Sequence, residues 1–417
     1  MTSKADAVVV GAGHNGLVAA NVLADGGWSV TVLEAEEEPG GALRSREAVE
    51  PGFVHDHCAS FFPLGAASPV FRALGLEIPW RHGPLVLAHP APDGSCAVVE
   101  RDGGDEAWRR IEPAVLRALV TPFPQLRAAA ALVLEPGAAA LLRLPRDELA
   151  RRIVVGCALH TDLPPTSLPG RAFGVALEML GRRYGFPCVE GGSGTITRLL
   201  VERALTRGVE LRLGERVDRL PTARRAVLAA VDAWTLGRLL GRPSSLPPDP
   251  AVLKVDWTLD GPVPWATEAA RRAPVVHLGG PGRFAIFGQY ALADPTRAPA
   301  GMETAWAYTR DLPSADALEA EVEALAPGFR ALVRGRCVER LPPGRVNLGT
   351  MRRLLVLRGR LGRPQTGVPG VYLASASAHP GGGVHGAPGW IAAQAALRCS
   401  RSPFRRRRAD SFTSSSR

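Results

Sequence analysis

The sequence predicts an α/β protein in which a parallel sheet flanked by helices takes its strands from separated stretches of the chain, beside a second part of mixed α and β. Three strand, glycine-turn and helix passages predict it. The first runs through Ala7–Val10, a β-branched run suited to a buried parallel strand, into Gly11-Ala12-Gly13-His14-Asn15-Gly16. A helical segment follows and ends at Gly26-Gly27, before a second strand, Val30–Leu33. The second passage, Glu190-Gly191-Gly192-Ser193-Gly194-Thr195-Ile196, opens a helical stretch to about Arg207, with further strands at Val209–Leu213 and Ala226–Ala230. In the third, a strand from Gly370 enters a glycine-rich loop through Gly389 and then a helix, Trp390–Leu397.

Composition sets the outer limits. A chain of 417 residues, 46% hydrophobic and 22% charged, has material for two or three packed units and is neither disordered nor fibrous. The net charge of +10 suggests an acidic partner, but seven arginines and one aspartate between Arg398 and Arg417 supply +6 of it. That tail, residues 398–417, is Ser-rich without apolar periodicity and is expected to be disordered. The body is mildly basic, so no specific nucleic-acid partner is expected. Six scattered cysteines without a C-x-x-C argue against a disulfide framework, a zinc site and a redox dithiol, and no spacing recommends a metal. The N-terminus enters a strand too soon for a signal peptide, and the Ala/Leu-rich stretch 128–142 is interrupted by Glu135-Pro136-Gly137. A cytoplasmic location is the expectation, with peripheral membrane contact left open.

The first motif carries specific chemistry. Gly11 permits a tight strand-to-helix turn, Gly13 lets a pyrophosphate approach the backbone, and Gly16 lets the helix pack on the strand. His14 and Asn15 fall in the first helical turn, whose free N–H groups and positive dipole end suit phosphates. Glu34, closing the second strand, is placed to accept hydrogen bonds from a ribose diol. Together these residues point to a dinucleotide.

Beyond Glu34 come Ala35, the acids 36–38, then Gly40-Gly41-Ala42-Leu43-Arg44, an E-x(5)-G-G-x-x-R continuation. It resembles the FAD fingerprint of the flavin amine oxidase superfamily and, with Gly13-His14-Asn15-Gly16-Leu17, its phytoene desaturase-like branch, which includes the bacterial phytoene dehydrogenases. The resemblance implies FAD as cofactor, with Ala35 among the cofactor-binding residues, and Gly41 and Arg44 at the pyrophosphate or flavin. The acids at 36–38 read as a solvated loop whose charge disfavours a 2′-phosphate. The second passage resembles the superfamily's second FAD segment, in which the backbone at Val217 pairs with adenine. The last resembles the C-terminal flavin segment, placing Gly382, Gly383 and Val384 by the flavin and ribityl chain. Ser375-Ala376 stand where many flavoproteins carry Gly-Asp, as is common in the desaturase branch.

The fold class implied is therefore α/β, a Rossmann-like FAD-binding domain interleaved with an α+β substrate domain. Its cofactor segments are 1–75, 186–245 and 366–397, and its substrate segments are 76–185 and 246–365. The first substrate segment reads as Pro-punctuated helices, and the second opens on an alternating strand, Val252 to Trp257. Lys254, one of only two lysines, matches the strand lysine that holds a water near the flavin in amine oxidases and is a catalytic candidate. His379 is the second candidate and His385, in the same loop, a third, both as proton acceptors near neutral pH. Trp257, Trp265 and Trp306 are candidates to line an apolar pocket, with core packing the competing role. Against the family pattern both substrate segments look shortened, and Asn347–Met351 looks trimmed. Three readings follow: dehydrogenation of a hydrophobic polyene or lipid-like small molecule, oxidation of an amine or alcohol with O2, or flavin binding without catalysis.

Overall fold

The computed structural model describes residues 5–120, 144–161, 163–242, 251–278, 283–341 and 363–401. The stretch 128–142, the loop 347–351 and residues 402–417 lie outside the described residues.

β1 (Ala7–Val10), α1 (His14–Asp25) and β2 (Val30–Leu33) occur where the apolar pattern and glycines place them. A hairpin then forms from β3 (Leu87–Pro90) and β4 (Cys96–Val99), followed by α2 (Glu106–Val120), α3 (Glu148–Ala158) and α4 (Leu168–Tyr184). The hairpin corrects the all-helical reading of 76–185. Its turn is closed by Asp93, which accepts from Ser95 N at 2.9 Å, and by Ala91 N–Ser95 O at 2.8 Å. Next come α5 (Gly194–Thr206), β5 (Glu210–Arg212) and β6 (Ala226–Ala229). β7 (Val252–Leu259), β8 (Val275–Leu278), β9 (Ala285–Gln289) and β10 (Glu303–Thr309) lead to α6 (Ala315–Leu325) and β11 (Val333–Leu341). The chain closes with β12 (Val371–Leu373) and α7 (Ala387–Arg401).

Two sheets organise these elements. The first, in the order β12-β6-β1-β2-β5, is wholly parallel and draws on all three glycine-turn passages. β1 is buried on both faces, as a parallel strand covered on both sides must be. Ala7 and Val9 pack with α1, α5 and α7, while Val8 and Val10 pack with Leu33, Val227 and Leu239. α7 begins three residues before Trp390 and runs to Arg401, so residues 398–401, expected in the tail, are helical. Alanines at 387, 392, 393, 395 and 396 bury that helix against the sheet, and the exposed Arg398 near its C-terminus suits its dipole.

The second sheet, β11-β7-β10-β9-β8-β3-β4, is antiparallel except at the β8–β3 pair. Directly paired residues share a face. Leu253, Val255, Trp257, Phe287, Ala305 and Ala307 fall on the back face, under Leu318 and Val322 of α6. Lys254, Asp256, Gly288, Trp306 and Tyr308 fall on the front face. α3 and α4 cover one end of that face, and the chain around Asp56 covers the other.

Candidate active site

The first glycine turn is built by close contacts. Gly11 has φ +100°, and its N–H donates to Leu33 O at 2.7 Å. A Cβ on Gly16 would sit 2.0 Å from Gly11 O, so α1 starts in contact with the turn that precedes it. Gly13 differs, because a Cβ there would meet nothing within 4 Å. None of the described residues requires glycine at 13, whereas a phosphate approaching the backbone would. Gly13 is also the N-cap of α1 and makes no side-chain capping bond, leaving the first-turn N–H groups available to an anion.

The other predicted cofactor residues gather round this turn. Gly40 N donates to Ala12 O at 2.9 Å, and a Cβ on Gly41 would lie 3.4 Å from Gly13 Cα. Arg44 folds back, donating from Nε to Gly41 O at 3.1 Å and pairing with Glu38 at 3.2 Å. Glu34 accepts from Ala12 N at 2.6 Å and from Glu36 N at 3.1 Å, which places its carboxylate across the mouth of the turn, with Ala35 half-buried beside it. Backbone bonds Glu34 N–Arg212 O (2.9 Å) and Glu215 N–Glu34 O (2.7 Å) draw the chain after β5 past Glu34. Val217 follows in that passage, outside any strand, and packs against the sheet face formed by Val8 and Val10.

The C-terminal loop closes the cradle. His14 is hydrogen-bonded to the Gly383 backbone, joining the first and last glycine passages. Gly382 O lies 3.3 Å from His385 Nε2, and His385 Nδ1 accepts from Ala387 N at 3.2 Å. Val384 packs on the sheet's main core. A Cβ on Gly389 would fall 1.9 Å from Asn15 O, so α7 crosses the first turn of α1 at a glycine. Burial lowers the His14 pKa to about 4, and burial followed by the His14 charge lowers that of His385 to about 3. Both rings are therefore neutral near pH 7. His14 Nε2 and Asn15 Oδ1 are buried with no hydrogen-bond partner among the described residues. Two orphaned polar atoms beside open space at Gly13 fit a bound dinucleotide, because buried polar groups otherwise find partners within the fold.

The catalytic candidates stand differently. His379 is half-buried in the loop just before Gly382. Lys254 is on the second sheet and 4% exposed. Its Nζ donates to Asp256 at 2.5 and 2.6 Å and to Asp56 O at 3.0 Å, so it is a buried ion-paired group on an interior strand. Of the three tryptophans, Trp257 and Trp265 are core residues of the back face. Their indole N–H groups donate to Glu319 (2.9 Å) and Gln289 (3.2 Å). Trp306 is on the front face, stacked on Tyr308 at 5.7 Å and 6.2 Å from Phe61.

Sequence reasoning missed Asp56, the most heavily engaged carboxylate in this region. It is 1% exposed and accepts from Ser45 Oγ (2.7 Å) and Ser193 N (2.8 Å), with Arg297 paired at 3.1 Å. The Tyr290 hydroxyl lies 3.1 Å from Asp56 Oδ2 and 2.7 Å from Ser60 Oγ. Burial, then the Asp56 charge, hold the Tyr290 phenol well above its ordinary pKa, so it stays protonated as a donor. Glu303 was also missed. Burial raises its carboxyl to a pKa of about 7 despite the Tyr290 and Ala291 N–H groups at 2.8 and 2.9 Å. Neither acid has a local spacing that would mark it, since their partners are distant in sequence.

Residues 9–75 match the NAD(P)-binding Rossmann-like domain family. The chain is 34% identical over 121 residues to one of the subunits of limonene dehydrogenase from Castellaniella defragrans, covering 26% of this chain and 21% of that one. It is 31% identical over 251 residues to hydroxyneurosporene desaturase of Cereibacter sphaeroides, covering 51% of this chain and 50% of the relative. The matches thus span half or less of these relatives' lengths. Among solved structures, an oxidoreductase from Methanosarcina mazei shares the fold, with TM-score 0.64 and 14% identity over 94% of this chain and 99% of that one. Among the described residues no helix is long and apolar enough to cross a membrane, and no cluster of three or more His, Cys, Asp or Glu could hold a metal ion.

Proposed function

We propose that this chain is an FAD-dependent oxidoreductase that dehydrogenates a hydrophobic small molecule. The carrying observation is the cradle in which Gly13 faces open space and His14 Nε2 and Asn15 Oδ1 are buried without partners. When bound, FAD supplies the hydride acceptor at flavin N5. The N-terminus of α1 and the turn at Gly40-Gly41 hold the pyrophosphate, Glu34 holds the ribose diol, and the backbone at Val217 borders the adenine. Arg44 steadies the pyrophosphate side, while Gly382, Gly383 and Val384 border the ribityl end.

The front face of the seven-stranded sheet receives the substrate. Phe61, Trp306 and Tyr308 offer aromatic area to an apolar body, and two relatives are named for limonene and hydroxyneurosporene. Desaturation removes a hydride from one carbon and a proton from its neighbour. In this reading His379, half-buried in the loop just before Gly382, takes the proton. Lys254 acts through Asp256 and the Asp56 carbonyl, fixing the chain that borders the substrate. A cytoplasmic location, with peripheral contact to a membrane that dissolves such a substrate, belongs to the same reading.

Anaerobic mixing of the FAD-loaded protein with a terpenoid polyene, and separately with primary amines, tests it. Loss of the visible flavin band with the polyene alone is expected. Loss with amines alone would make the protein an amine oxidase. No loss with any donor would leave a flavin-binding protein without this catalysis.

A further inference from the structure

Asp56 stands between the two sheets. It pairs with Ser45 in a two-residue ladder directly after the Gly40–Arg44 passage, and its Oδ1 takes Ser45 Oγ and the Ser193 N–H at the start of α5. Ser45 Oγ also accepts from Gly194 N at 3.0 Å. These bonds fix the two glycine passages that approach the dinucleotide. Oδ2 faces the other way, to Tyr290 and to Arg297, which is 0% exposed and lies over the Tyr290 ring at 3.9 Å. The backbone O of Asp56 takes Lys254, itself paired with Asp256. Two cations and two anions thus balance within one buried cluster. A second tie runs in parallel, Gly191 N to Asp294 Oδ2 at 2.8 Å. Three hydrogen bonds and one ion pair converging on one carboxylate leave it little freedom to follow one sheet without the other.

We propose that Asp56 is a positioning residue that locks the dinucleotide cradle to the seven-stranded sheet, so that the hold on FAD depends on side chains of the substrate half. The inference rests on the FAD reading above. Asp56 itself is a poor probe, because its loss strands Arg297 as an unpaired buried charge. Tyr290→Phe removes one hydroxyl from Oδ2 and leaves the ring to pack on Phe61 (5.8 Å) and under Arg297.

The experiment is FAD titration of the full-length apoprotein, read by flavin fluorescence and by the visible spectrum of the bound form. Tyr290→Phe should raise the FAD Kd by about three- to tenfold, the worth of one hydrogen bond, and shift the bound spectrum. Ser45→Ala should do the same from the cradle side. The double variant should lose less than the product of the two, because both act through one carboxylate. Thr309→Val, which gives up a buried hydrogen bond in the same sheet, Thr309 Oγ1 to Phe284 O at 2.7 Å, should leave the FAD Kd at the wild-type value. A Tyr290→Phe protein with a lowered melting temperature but unchanged Kd and spectrum would overturn the proposal. So would a Thr309→Val protein that weakens FAD as much. A wild-type chain that takes up no FAD would overturn the cofactor reading, and this inference with it.

Discussion

Around the dinucleotide cradle, residues 11–16, 40–41 and 382–389 meet largely through backbone, with glycines at 11, 16, 40, 383 and 389 where a Cβ would collide, open space at Gly13, and neutral histidines at the edge. In the cluster around Asp56, at one end of the seven-stranded sheet's front face, the contacts are between charged side chains, Asp56 with Arg297 and Lys254 with Asp256, all nearly excluded from solvent. The first region is shaped to leave room for something else, and the second is filled by its own charges. The two should therefore fail differently. Damage to the cradle should separate folding from cofactor binding, whereas damage to the charge cluster should cost folding first.

The largest effect is expected at Arg297. Arg297→Met leaves Asp56 buried without its cation and should destabilise the chain by about 3–5 kcal/mol, measured by denaturant unfolding. A loss below about 1 kcal/mol would show that the cluster is solvated in a way its burial contradicts. Gly16→Val comes next, because a Cβ within 2.0 Å of Gly11 O forces the helix off its strand. Its apoprotein should lose about 3 kcal/mol, read from the same curves. Gly13→Val sharpens the contrast. With nothing of the protein within 4 Å, its apoprotein melting temperature should match wild type, while FAD affinity should fall by about tenfold or more. Equal losses of stability at 13 and 16 would erase the distinction between a structural glycine and a ligand-facing one.

This contrast also explains what could be read from the chain alone. Gly11, Gly13, Gly16 and Glu34 act within one strand-turn-helix-strand unit, so spacing alone places them. Lys254 stood out by composition, but its partner Asp56 is 198 residues away and Arg297 lies 241 residues from Asp56, so no local pattern joins them. The same holds for Gly389, whose reason is the backbone of Asn15 at the other end of the chain. The β3–β4 hairpin was missed because two short strands among prolines look like breaks between helices. The length of α7 was missed because Arg398-Cys399-Ser400-Arg401 reads as the start of the Ser- and Arg-rich tail, whereas the alanine face upstream carries the helix to Arg401.

The last predicted effect is a pH dependence in the substrate half. The Glu303 carboxyl has its pKa raised to about 7 in the folded chain, chiefly by burial, above its ordinary value of 4.5. The folded state then binds a proton that the unfolded state has lost, so its contribution to stability is full below pH 4.5 and disappears as pH rises through about 7. Glu303→Gln keeps an acceptor for the Tyr290 and Ala291 N–H groups and removes this titration. Its stability should be flatter than wild type between about pH 4.5 and 7 and greater at about pH 8. An unchanged slope in that window would show that Glu303 ionises as an ordinary surface acid does.

The central claim is that the three glycine passages assemble a cradle for FAD. The most direct measurement is the visible absorption spectrum of the purified full-length protein, with its flavin content after release by heat. The account predicts a yellow protein carrying close to one FAD per chain, or an apoprotein that reaches that ratio on incubation with FAD. A colourless protein that takes up no FAD at saturating concentration would contradict it.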